Sequence, residues 1–189
     1  MPNALRRRPR QARSQATRDA IFEAAAQILE AHGEDDAHFN TNRIAERAGV
    51  SVGTLYQYFA TKQAILAEMA RRENARVRAE LTASIPAGEA SPVRLAIRAQ
   101  IAILQDRPAT RRAALRAIMA EEGAAGIRRE TRETGRLLPP AGDRLDAFVL
   151  TQAVNGVIRA AVLEGSPHLR DPRLEDTLVR LVEGFQAPR

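Results

Sequence analysis

The stretch Thr41–Ala60, TNRIAERAGVSVGTLYQYFA, decides how this chain is read. It predicts two short helices, Thr41 to Ala48 and Ser51 to Phe59, joined by a tight turn at Gly49. Gly49 stands where the backbone needs φ > 0, a conformation that is cheap only for glycine. Ala45 is small where the helices must lie close, and Val50 and Leu55 supply apolar packing across the angle between them. Ser51 is suited to cap the second helix. This spacing is that of a helix-turn-helix, a module that reads DNA with its second helix.

At 100° per residue, Val52, Leu55 and Phe59 share one face of that helix and are expected to point inward. Gly53, Thr54 and Gln57 fall on the opposite face, with Tyr56 and Tyr58 on the flanks. Gln57 can bond bidentately to adenine, and Thr54 can donate, accept, or pack its methyl on thymine. Val52 and Gly53 allow close approach at the leading end. Tyr56 and Tyr58 are the only tyrosines in the chain, and their hydroxyls suit phosphate oxygens on either side of a groove. The alternative for each is packing within a small domain. Thr41 can cap the first helix and offer backbone N–H groups to a phosphate. Lys62, opening the next helix, is expected to be another phosphate clamp. It is the single lysine among 29 basic residues.

Outward from this module, 189 residues suffice for a small head and a larger body. No run of apolar residues approaches the roughly 20 that a spanning helix needs, and the basic N-terminus lacks the apolar stretch of a signal peptide. The chain has no cysteine, which excludes a disulfide framework, a thiolate zinc site and a cysteine nucleophile. A cytoplasmic protein is expected, with no membrane contact.

The net charge of +6 is concentrated at one end. Residues 1–18 hold six arginines (Arg6, Arg7, Arg8, Arg10, Arg13 and Arg18) and no acid, while the remainder sums to zero. Residues 1–16 therefore read as a basic arm without fixed structure, either a solubilising tail or a DNA contact that adds affinity by releasing counterions.

Helical periodicity runs through nearly every segment, and no stretch alternates as a half-buried strand does. A first helix is expected over 17–31, with Thr17 as N-cap and Gly33 as stop, followed by the loop GEDDAH and a core residue, Phe39. A long helix over 62–82 precedes the linker SIPAGEASP. Further helices are expected over 93–106, 108–122 and 127–137, then a break at Leu137-Leu138-Pro139-Pro140. Two helices close the chain, 143–164 and 171–185. Leu174, Leu178, Leu181 and Phe185 form a seam in the last. Small residues line the other (Ala153, Gly156, Ala160, Ala161). These two helices are expected to form half of an intermolecular four-helix bundle, since a palindromic site calls for a two-fold symmetric reader. The alternative is that they only complete the internal core.

The block Ile44–Leu66, IAERAGVSVGTLYQYFATKQAIL, resembles the signature of the TetR family of bacterial transcriptional regulators. It includes the glycine turn, the Leu-Tyr-x-x-Phe recognition helix and the lysine after it. The likeness covers residues 17–66. It implies an all-α fold: a three-helix DNA-binding domain over 17–62 and a helical effector-binding and dimerisation domain over 63–189. It also implies a homodimer, paired through the C-terminal helices, on a palindromic operator in double-stranded DNA, usually as a repressor released by a small molecule. Where members often carry an aromatic after the glycine that ends the first helix, this chain has Glu34 in an acidic run.

For the effector the sequence offers less. Gln100, Gln152, Asn155 and Arg159 are polar among apolar neighbours and could orient a ligand in an apolar cavity. Each also fits an ordinary interhelical hydrogen bond. Low aromatic content in the body argues against a pocket that stacks planar drugs. His32 and His38 flank three acids, but their spacing matches no recurring metal motif, so no metal and no cofactor is expected. The clusters Arg111-Arg112-Arg116 and Arg128-Arg129-Arg132-Arg136 read as solvated faces paired with nearby glutamates. No nucleophile motif or phosphate-cradling loop supports an enzyme. The competing reading is a basic architectural protein that holds DNA mainly through its arm.

Overall fold

The computed structural model describes residues 8–83, 91–135 and 144–186. The linker SIPAGEASP, apart from Ser91 and Pro92, and the break at Leu137–Pro140 lie outside the described residues, as does the arm up to residue 7. Among the described residues the chain is helical throughout, without strands. The order is α1 (Arg8–His32), α2 (Thr41–Ala48), α3 (Val52–Tyr58), α4 (Lys62–Ala83), α5 (Pro92–Gln105), α6 (Pro108–Gly135), α7 (Arg144–Glu164), a 3-10 turn (Pro167–Arg170) and α8 (Arg173–Gln186).

Helix α1 begins at Arg8, well before the expected start at Thr17. Thr17 is no cap: its hydroxyl donates to the Arg13 carbonyl at 2.9 Å inside the helix. A hydroxyl satisfied one turn back leaves the helix free to continue through it. The stop at Gly33 is as expected, with φ +68° and its N–H on the Leu29 carbonyl at 2.8 Å.

The head packs α1 to α4 around Ile21, Leu29, Phe39, Ile44, Leu55 and Ile65, all at most 1% exposed. Side chains of this size stabilise by about 1.5–3 kcal/mol each when fully buried. The first half of α6 belongs to this same core through Ala113, Ala114, Ala117 and Ile118. A second core joins α5 (Val93, Ile97, Ile101), α7 (Leu150, Val154, Ile158) and α8 (Leu178, Val179, Val182).

Helix α6 takes in the helix expected over 108–122 and the described part, to Gly135, of that expected over 127–137. They meet at Gly123, whose φ of +51° and ψ of −141° break the helical path. The cluster Arg111-Arg112-Arg116 is a solvated face only at Arg116, which is exposed; Arg111 and Arg112 are half-buried. Arg111 pairs with Glu73 of α4 at 2.8 Å, Arg112 donates to the Val162 carbonyl at 3.2 Å, and Arg116 reaches Glu34 at 2.8 Å.

Helix α7 is more apolar than its sequence first suggests: Leu145–Glu164 has the length and mean hydropathy (1.3) of a spanning segment. It carries Asp146 and Arg159, and its Leu150–Val154–Ile158 stripe is core. The seam of α8 divides. Leu178 is buried, whereas Leu181 and Phe185 remain 42% and 45% exposed.

Candidate DNA-reading face and body site

The turn between α2 and α3 is built by three local choices. Asn40, extended at φ −140°, caps α2 by accepting the Arg43 N–H at 3.0 Å. Gly49 adopts φ +68° and ψ +28°, so that its own N–H reaches the Glu46 carbonyl and the Val50 N–H the Ala45 carbonyl. These two bonds satisfy carbonyls that the end of a helix leaves open. Ser51 caps α3 as expected, accepting the Thr54 N–H at 3.0 Å. Thr41, expected to cap α2, is instead its first residue. The signal for Asn40 was present in the sequence, because asparagine outranks threonine at N-caps.

Burial of Leu55 and Phe59 turns α3 so that its other side faces outward. Ser51, Gly53, Tyr56 and Gln57 are exposed, and Thr54 is half-buried with its hydroxyl 2.8 Å from that of Ser51. Val52 does not point inward; it stands on the first turn, where the core does not reach, and is 37% exposed. The tyrosines differ. Tyr56 is half exposed, with its hydroxyl 3.2 Å from that of Thr41. Tyr58 packs against the head core beside Phe59, at 6.5 Å between ring centroids.

Lys62 is engaged within the chain. Its ammonium donates to Asp36 and, at 3.0 Å, to the Phe39 carbonyl, and it lies 5.5 Å from the centre of the Phe39 ring. Within the loop before α2, His38 Nδ1 is 2.9 Å from the Asp35 carboxylate, and its ring stacks on that of His32 at 4.3 Å. The His38 bond, with the Ala37 N–H, holds the Asp35 carboxyl below the usual carboxylate range.

Head and body meet along α1 and α6. Arg107 pairs in bidentate fashion with Glu23 at 2.7 and 3.0 Å. Its hydrogen bonds, together with one from Gln27, hold Glu23 below the usual carboxylate range. Glu30 accepts both the N–H and the hydroxyl of Thr110, at 2.8 and 2.7 Å. That carboxylate answers an open donor at the N-terminus of α6.

In the body, Gln100 on α5 and Gln152, Asn155 and Arg159 on α7 are all half-buried. Gln152 and Arg159 lie on the side of α7 away from the Leu150–Val154–Ile158 core stripe. They share it with Leu145, Phe148 and Val149, which are 65%, 58% and 39% exposed. Asn155 stands at the boundary of the two faces. Its amide nitrogen is buried and has no hydrogen-bond partner among the described residues.

Residues 21–69 match the family model described as bacterial regulatory proteins, tetR family. No curated protein matches the chain. Among solved structures, Salmonella enterica GusR is 19% identical with a TM-score of 0.65, over 97% of this chain and 99% of that one. The fatty acid degradation regulator FadR from Bacillus halodurans is 18% identical with a TM-score of 0.66, over 90% and 95%. A putative TetR-family regulator from Mesorhizobium loti is 24% identical with a TM-score of 0.64, over 92% and 96%. These likenesses give the fold over nearly the whole chain. The tetR-family match lies on residues 21–69, the helix-turn-helix head.

Proposed function

We propose that this chain is a TetR-family regulator, a homodimeric repressor that leaves a palindromic operator when a small molecule occupies its body. The observation that carries the DNA half is the presentation of α3. Its apolar side is locked in the core by Leu55 and Phe59, and Ser51, Gly53, Tyr56 and Gln57 are left facing outward. Thr54 and Gln57 read base edges, while Thr41, Tyr56, Tyr58 and Lys62 hold phosphates.

The exposed apolar residues of α7 and α8 support pairing of two copies. Leu145, Phe148, Val149, Val157, Leu181 and Phe185 are large and unburied on the C-terminal helices, and a second copy would remove them from water. The effector contacts proposed are Gln100 and the α7 residues Gln152, Asn155 and Arg159. Asn155 is the strongest, since a buried amide without an acceptor is matched by a ligand that brings one. Effector binding favours a body conformation whose heads no longer meet successive major grooves, about 34–36 Å apart.

The test is selection of bound duplexes from a random library by the full-length protein at about 150 mM salt, where non-specific binding is weakened. An enriched palindrome is expected. Binding without enrichment that vanishes as salt rises would favour the architectural reading instead.

A further inference from the structure

We propose that Asp36 is an intramolecular rival of the DNA phosphate for Lys62, and so sets how tightly the head grips duplex of any sequence. This rests on the DNA-binding reading above and adds a residue that reading does not use.

The arrangement of the pair suggests competition. Lys62 is held from the protein side by the Phe39 carbonyl at 3.0 Å and by the Phe39 ring. Its side chain is only 22% exposed, whereas that of Asp36 is 88% exposed. The carboxylate therefore approaches the ammonium from the solvent side, the direction from which an external anion arrives. Of the ammonium's three donors, one goes to the Phe39 carbonyl and one to Asp36 on the solvent side, so a phosphate arriving from solvent meets the carboxylate already in place. Phe39 lies two residues before Thr41, whose hydroxyl is 3.2 Å from that of Tyr56. The pair thus stands at the edge already assigned to phosphate contacts.

The other two acids of the run are occupied elsewhere. Glu34 is bound by Arg116 at 2.8 Å, and Asp35 by His38 at 2.9 Å and the Ala37 N–H at 3.2 Å. Asp36 alone of the three meets Lys62. An ion pair with so exposed a partner is weak, so a phosphate can displace the carboxylate. The displaced charge nevertheless stays within a Debye length of the DNA backbone. Its effect is therefore repulsive, independent of sequence and screened by salt.

The experiment titrates full-length protein against a labelled mixed-sequence duplex of about 30 base pairs, at about 50 and about 200 mM salt. Asp36→Asn should bind about three- to tenfold more tightly at the lower salt, with the gain shrinking at the higher. Asp36→Glu, which keeps the charge, should stay near the unmodified protein. Lys62→Ala should weaken binding, and Asp36→Asn should gain less in that background. Thermal melts check that each variant is folded, and Asp36→Ser serves if the asparagine variant is not. Unchanged or weaker binding by Asp36→Asn would overturn the proposal and make the carboxylate a support that aims Lys62 at phosphate. A gain equal at both salts, or a Lys62→Ala variant that binds as well as its parent, would overturn it too. If the unmodified protein bound no duplex at low salt, the DNA-binding reading itself would fall.

Discussion

Arg107 holds Glu23 with two contacts of 2.7 and 3.0 Å while its own backbone stands at φ +52°, the one positive φ outside glycine among the described residues. A left-handed conformation in a residue with a Cβ costs roughly 1–2 kcal/mol. The corner between α5 and α6 therefore sits in a strained conformation with its side chain bound to the helix-turn-helix head.

The pair makes stability sensitive to acid. Glu23 has a folded pKa below its ordinary value. Its contribution is then complete above the ordinary carboxylate pKa and is lost as pH falls through the folded value. Thermal melts should show the midpoint falling between pH 7 and about pH 3.5, and falling less in Glu23→Gln. An equal fall in both proteins would mean that other carboxylates govern acid sensitivity.

Gly49→Ala should cost about 1–2 kcal/mol by urea unfolding, the price of a left-handed residue with a side chain. Nothing lies within 4 Å of the added Cβ, so the cost is conformational and not steric. Gly53→Ala, whose nearest neighbour is Ser51 Oγ at 3.9 Å, serves as the control and should lose far less.

On an operator recovered by selection, Gln57→Ala should relax the preference at one position of each half-site, at about 1–3 kcal/mol. Tyr58→Phe and Tyr56→Phe should each weaken binding on every sequence, read as a change that does not depend on the duplex used. If neither tyrosine nor Gln57 affected binding, α3 would not be the reading helix.

Phe148→Glu and Leu181→Glu should shift the protein toward monomer in sedimentation equilibrium while leaving its helical circular dichroism intact. Both residues are exposed in the single chain, at 58% and 42%, so a charge there meets water unless a second copy covers it. An unchanged dimer would move the interface elsewhere.

What could be read from the sequence was local. Gly49 and Ser51 act within a few residues of themselves, so the turn and cap of the helix-turn-helix were legible, and the spacing of Leu55 and Phe59 marked the face that packs on α1. Val52 failed because a helical wheel takes no account of where the core ends. Arg111 and Arg116 gave no sign of their partners because Glu73 and Glu34 come from α4 and from the loop after α1, far away in the sequence. The long reach of α1 was hidden because Thr17, by type a cap, satisfies its hydroxyl one turn back. The sharing of one core between the head and α6 had no sequence signal at all, since alanines such as Ala113 and Ala117 suit any close helix contact.

The break at Gly123 has a bearing on anyone exchanging parts between such regulators. A chimera cut after residue 62 would strip the head of Ala113, Ala114, Ala117 and Ile118, and would sever Glu23 and Glu30 from Arg107 and Thr110. The portable reader is a discontinuous piece, α1 to the first half of α4 together with residues 107–122. A graft that carries both fragments and rejoins the foreign body at Gly123 keeps its core whole.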